Sequence, residues 1–229
     1  MSLFVLGDPH LSFGVPDKPM DIFSGWENYQ ELLKENWLKK VTAEDTIVLA
    51  GDISWGMTLE EAKADFAFLH GLPGTKIILK GNHDYWWNSM KKMTAFFEAN
   101  GFDSLHILHN NCYAYEGYGI CGTRGWVNMP GEASDAKVLA REQQRLKVSL
   151  EAAVQQELRP IVFLHYPPIF WANRNEPMLE LLKEFSVEHC YYGHLHGKSH
   201  SRAVRGREDG VHYHLISGDF LQFSPEKVM

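Results

Sequence analysis

Five short apolar runs, each cut off by Asp, Asn or His, constrain this chain more than any other feature. Leu3–Leu6 stops at Gly7-Asp8-Pro9-His10, and Thr46–Ala50 stops at Gly51-Asp52. The run 76–79 leads through Lys80 to Gly81-Asn82-His83-Asp84. The run 161–164 stops at His165-Tyr166-Pro167-Pro168, and 190–192 at Gly193-His194-Leu195-His196. Short Val/Ile/Leu runs without alternation predict strands covered on both faces. Helical spacing between them predicts helices over 26–40, 59–70, 85–100, 134–158 and 177–185. This alternation predicts an α/β fold with functional loops at the carboxyl ends of the strands. If the strands are neighbours in one sheet, all five loops open onto one edge. Residues 105–121 read as hairpin strands, and a last hairpin is expected from 201–204 and 211–217 around a polar turn at 206–210.

The chain has 229 residues, 45% of them hydrophobic, which is enough for one substantial core. No linker divides it, so a single domain over 1–229 is expected. The net charge of −7, with no Lys/Arg run, argues against long nucleic acid or an anionic membrane as partner. No stretch approaches the ~20 apolar residues of a membrane span. Cys112, Cys121 and Cys190 lie in apolar runs and fit no disulfide framework. Reduced, buried thiols and a short N-terminal run without a basic region suit a cytoplasmic protein.

The residues at the five strand ends are Asp8, His10, Asp52, Asn82, His83, Asp84, His165, His194 and His196. Any one of them alone would read as a turn or capping residue. As an ordered set at five exits they point to metal chemistry. Imidazole and carboxylate suit Mn, Fe, Zn or Co, and the lack of Cys argues against a structural zinc or iron–sulfur site. Asp-x-His at 8–10 and His-x-His at 194–196 each put two side chains on one face of an extended segment. One carboxylate can bridge two cations about 3.5–4 Å apart. Without cations, Asp8, Asp52 and Asp84 would repel one another in a confined space.

Asp-x-His, Gly-Asp, Gly-Asn-His-Asp, His and Gly-His-x-His, in this order over residues 7–197, resemble the calcineurin-like metallophosphoesterase family. The resemblance implies a four-layer αββα sandwich of two mixed β-sheets flanked by helices. It implies a phosphoesterase that attacks phosphomonoesters or phosphodiesters with a hydroxide activated by two divalent or mixed-valence metal ions. Asp8, His10 and His196 would hold the first ion, Asn82, His165 and His194 the second, and Asp52 would bridge them. His83 would protonate the leaving group or stabilise transition-state charge, oriented by a hydrogen bond that Asp84 accepts from its ring. Asp84 also reads as an N-cap for the helix that follows. Pro9 departs from the family pattern and puts the shape of that loop in question, not the ligand set.

Arg124 and Arg174 are candidates to clamp a substrate phosphate. Trp55, Trp86, Trp87, Trp126 and Trp171 lie close to the motifs and are candidates for an aromatic rim. His189, His200, His212 and His214 read as structural. Some members of this fold are non-catalytic scaffolds, but scaffolds lack part of the ligand set, and here it is complete. The expected substrate is a small phosphorylated molecule. The loops 12–24, 123–134 and 170–176, which would select it, carry no signature that names it.

Overall fold

The computed structural model describes residues 1–127 and 133–228. Two mixed sheets carry the chain. The first contains β1 (Leu3–Leu6), β2 (Thr46–Ala50), β3 (Thr75–Leu79) and β4 (Leu105–Ile107), all parallel, with β13 (Glu226–Lys227) antiparallel at the edge beside β1. The second contains β6 (Tyr118–Thr123), β7 (Arg159–Leu164), β10 (His189–Tyr192) and β12 (Val211–Leu215), again parallel. Its edges are the antiparallel β5 (Tyr113–Tyr115) and β11 (Gly206–Glu208). A two-strand ribbon pairs β8 (Ile169–Phe170) with β9 (Asn173–Arg174).

Strand side chains alternate between faces, and here both faces are covered. Leu3, Val5, Val48, Ala50, Ile77 and Leu79 meet Ile161, Phe163 and Tyr191 in a core between the sheets. The alternate residues Phe4, Leu6, Ile47, Leu49 and Ile78 pack in the cluster that also holds Leu33, Trp37, Phe66, Leu69, Met93 and Phe97. Those belong to helices α1 (Tyr29–Lys40), α2 (Lys63–Gly71) and α3 (Met90–Ala99). On the other side, Val162, Leu164, Cys190 and Tyr192 pack with Leu146 and Leu150 of α4 (Ala133–Val154) and Leu181 and Leu182 of α5 (Glu176–Glu184). This is the expected four-layer sandwich, and it explains why the strands read as continuous apolar runs.

Several local expectations are corrected. The five strands do not share one sheet: β1, β2 and β3 lie in the first and β7 and β10 in the second. Leu105–Ile107 pairs with β3, so only β5 and β6 form the central hairpin. The last hairpin is β11–β12, turning at Asp209-Gly210; Gly197–Arg202 is a 3₁₀ helix instead of a strand. Helix α3 begins at Met90 with Ser89 as its cap, whose hydroxyl accepts from the Lys92 N–H, so Asp84 caps nothing. The three cysteines are free; Cys121 and Cys190 are buried, and Cys112 is half-buried. Among the described residues, no helix is long and apolar enough to cross a membrane.

Candidate metal centre

Because β1, β2 and β3 run parallel, as do β7 and β10, their carboxyl ends deliver all nine motif residues to one region. Local backbone does the final aiming. Asp8, His10, Asp52 and His194 all have left-handed φ, at 54°, 43°, 51° and 69°. Such conformations cost a non-glycine residue on the order of 1–3 kcal/mol and cluster at functional sites. The Asp8-Pro9-His10 segment is therefore not extended, yet both side chains still reach the cluster. Two motif glycines are required by close approach. A Cβ on Gly81 would strike the Asp52 carboxylate, and one on Gly193 would strike that of Asp8.

Short contacts link the seven expected ligands. The Asp52 Oδ2 lies 3.5 Å from His165 Nε2 and 3.6 Å from His10 Nε2. His196 Nε2 and His165 Nδ1 lie 3.7 Å and 3.6 Å from Asp8 Oδ1. Asn82 Oδ1 lies 2.6 Å from His165 Nε2. The His194 ring packs 5.1 Å from that of His165, and its backbone N–H donates to the Asp8 carboxylate at 3.0 Å. Two groups have donor atoms within 4.8 Å of one another: Asp8, His10 and His196, and Asp8, Asp52 and His165.

The donors suit cations. Asp8, His10, Asp52 and His165 are all buried. Burial pushes both carboxyls well above the usual carboxylate range. Burial also lowers His10 far below its ordinary value, His165 to about 3 and His194 to about 2, so their lone pairs stay free. Among the described residues no Lys or Arg pairs with Asp8 or Asp52. Desolvated carboxyls beside the neutral rings of His10, His165 and His194 favour positive charge, which bound metal ions would supply.

His83 sits at the edge of this cluster. Its backbone N–H donates to Asp52 Oδ1 at 2.7 Å, and its ring packs 4.5 Å from Trp55. The hydrogen bond expected from Asp84 is not made, and His83 Nδ1 is buried without a partner. Asp84 points the other way. Its Oδ1 accepts from the Ile53 and Ser54 N–H groups and from Trp86 Nε1, and its Oδ2 accepts from the Gly81 N–H. It therefore clamps the Asp52 loop to the Asn82 loop. Asp84→Ala would strand these buried donors, and a loss of at least about 3 kcal/mol in urea unfolding is expected.

The two arginines part ways. Arg124 follows β6, and its backbone carbonyl accepts from the N–H groups of His165 and Tyr166. Its guanidinium faces Glu142 at 3.6 Å and Trp126 at 4.8 Å, and its Nε is buried without a partner. Arg174 is taken up by Glu176, Glu208 and Asp209, so its fork is already filled. The tryptophans also divide. Trp55 stacks on His10 at 5.2 Å. Trp86 is buried in the first outer core with Trp87 against it, and exposed Trp171 lies under Arg202. The loop 123–134 lies partly outside the described residues.

Asp219 and Trp26 were not anticipated. Asp219 Oδ1 lies 2.9 Å from His196 Nδ1, and Oδ2 accepts from the Gly197 N–H. Burial lowers His196, but Asp219 and Asp8 outweigh it and leave the ring raised. Carboxylates that hold the far nitrogen of a ligand histidine fix its orientation. The sequence carries a partial signal: Gly218-Asp219 repeats the Gly-Asp pair of Gly51-Asp52, but after Leu215-Ile216-Ser217. Buried Trp26 packs on the rings of His10 and His196, at 5.5 Å from each.

A two-sheet α/β sandwich with buried and half-buried Asp, His and Asn converging at its strand ends has the form of a metal-dependent phosphoesterase. The family model for calcineurin-like phosphoesterases matches residues 1–198, and the chain belongs to that family. Among the solved structures that share the fold are two that align over nearly the whole chain. A protein of unknown function from Aquifex aeolicus is 16% identical, with a TM-score of 0.52 over 99% of this chain and 95% of its own. The phosphopantetheinyl hydrolase of Mycobacterium tuberculosis is 13% identical, with a TM-score of 0.54 over 100% of this chain and 95% of its own. No curated protein matches the sequence.

Proposed function

We propose that the chain hydrolyses small phosphate mono- or diesters, with Asp8, His10, Asp52, Asn82, His165, His194 and His196 holding two ions of Mn, Fe, Zn or Co. The carrying observation is the buried Asp52 carboxylate, whose single oxygen Oδ2 is within 3.6 Å of both His10 and His165. Ions bound there supply Lewis-acid charge to the phosphate oxygens and lower the pKa of an attacking water.

The chain's own residues have separate tasks. Asp52 spans the two donor groups, held in place by the His83 amide. The Ala50 carbonyl, 3.1 Å from His165 Nδ1, sets the tilt of that ring, and Asp219 sets that of His196. His83 donates a proton to the departing oxygen, consistent with its ring lining the cavity beside the cluster. Arg124 is the remaining candidate for a phosphate oxygen, although its guanidinium already faces Glu142 at 3.6 Å. A cavity of about 430 Å³ beside His10, His83 and His196 is walled by Met20, Phe23, Trp26 and Trp55. These walls favour a leaving group with an apolar or planar face.

The test is a panel of mono- and diesters, nucleotides and dinucleotides, run with Mn²⁺, Co²⁺, Zn²⁺ and Mg²⁺. Because one fold neighbour is a phosphopantetheinyl hydrolase, a phosphopantetheinyl ester belongs in it. Cleavage of p-nitrophenyl phosphate or its bis ester with Mn²⁺, abolished by EDTA, is expected. Equal turnover in the EDTA-treated protein would refute the reading.

A further inference from the structure

The inner face of the second sheet carries Ile161, Phe163, Tyr191 and Ile216, all apolar or aromatic, until it reaches three histidines. β10 and β12 are parallel neighbours, with His189 opposite His212 and Tyr191 opposite His214. Opposed residues share a face, and so do residues two apart on a strand. His189, His212 and His214 therefore project together, in line with Tyr191 and Ile216. His189 and His212 stand at the amino ends of β10 and β12, with His214 two residues further along β12, whereas the phosphoesterase cluster follows the carboxyl end of β10.

We propose that His189, His212 and His214 form a separate binding site for one borderline transition-metal ion of the Zn²⁺, Ni²⁺ or Cu²⁺ type. One nitrogen from each ring lies within 4.8 Å of the others. His189 Nδ1 is 3.1 Å from His214 Nε2, and the His212 and His214 centroids are 4.4 Å apart. Tetrahedral zinc with imidazole bonds of about 2.0–2.1 Å needs donors roughly 3.3 Å apart, close to the 3.1 Å between His189 Nδ1 and His214 Nε2. The pocket is also preorganised. His214 stacks on Tyr191 at 4.3 Å and 11°, and Tyr191 stacks on Phe163 at 5.2 Å and 17°.

The protonation state suits a metal. Burial, with His212 and His189 beside it, lowers His214 to about 4, and burial lowers His189 as well. Neutral imidazoles keep the lone pairs that a cation requires. Glu188 and Arg207 are the charged neighbours of His189, and their effects on it oppose each other. Three histidines leave one coordination position for water. An ion here would staple β10 to β12 at the end away from the phosphoesterase cluster.

The test uses the full chain, stripped with a chelator, reloaded with Zn²⁺, desalted and measured by elemental analysis. The double variant His212→Asn/His214→Asn is expected to hold one zinc fewer per chain than wild type. Its turnover with Mn²⁺ should be unchanged, and the rise in Tm that Zn²⁺ gives wild type should shrink. Should the double variant fold poorly, the single variant His189→Gln carries the same expectation. Equal zinc content and equal Zn²⁺-induced Tm shifts in wild type and a folded variant would overturn the proposal.

Discussion

His83→Ala is expected to lower kcat by roughly 10²–10⁴-fold, the range for loss of a positioned general acid. That corresponds to about 3–5 kcal/mol of transition-state stabilisation. The loss should depend on the leaving group. An alkyl phosphate releases a strongly basic alkoxide and needs the proton, whereas p-nitrophenolate departs without it. The variant should therefore lose far more on the alkyl ester than on p-nitrophenyl phosphate. Folding should survive, because the bond from residue 83 to Asp52 Oδ1 uses the backbone N–H, which alanine keeps. Steady-state kinetics on the two esters, with circular dichroism as the folding control, measure this. Equal losses on both would move His83 from proton donor to electrostatic stabiliser.

Asp52→Asn is expected to move activity and metal-free stability in opposite directions. Activity should fall by about 10³-fold or more, because the change removes the charge that faces both donor groups. Metal-free stability should rise, because burial penalises the Asp52 carboxylate and raises its folded pKa above the unfolded value. The sign follows from linkage. The folded state binds the extra proton, so that stabilisation is present at low pH and lost as pH rises through the folded value. Asparagine has no such proton to lose. In EDTA above pH 7 the variant should gain on the order of 1–2 kcal/mol over wild type. Mn²⁺ should reverse the order, because wild type binds the ions more tightly. Thermal unfolding with EDTA and with Mn²⁺ checks both halves.

The strand-end residues were legible because each motif sits where an apolar run stops, and a run buried on both faces has little choice but to be a strand. The division of these strands between two sheets was not legible from periodicity. Leu3–Leu6 and the run 161–164 have the same character, and only the pairing partners differ. Leu105–Ile107 is too short for its pattern to name a partner. The start of α3 was misread because 85–89 looks helical in composition, yet Asp84 ties Trp86 back to the Asp52 loop and postpones the helix to Met90. The same clamp explains the error over Asp84. Adjacency to His83 suggested a hydrogen bond, but four buried N–H donors outcompete the ring for that carboxylate. Asp219 is harder to read because Ser217 interrupts the apolar run before Gly218-Asp219, so no strand end stops sharply there.

Anomalous diffraction from crystals grown with Mn²⁺ tests the proposed dinuclear cage most directly. Two peaks roughly 3.5–4 Å apart are expected, flanking the Asp52 carboxylate and within bonding distance of the other six side chains. A single peak, or none among these residues, would contradict it.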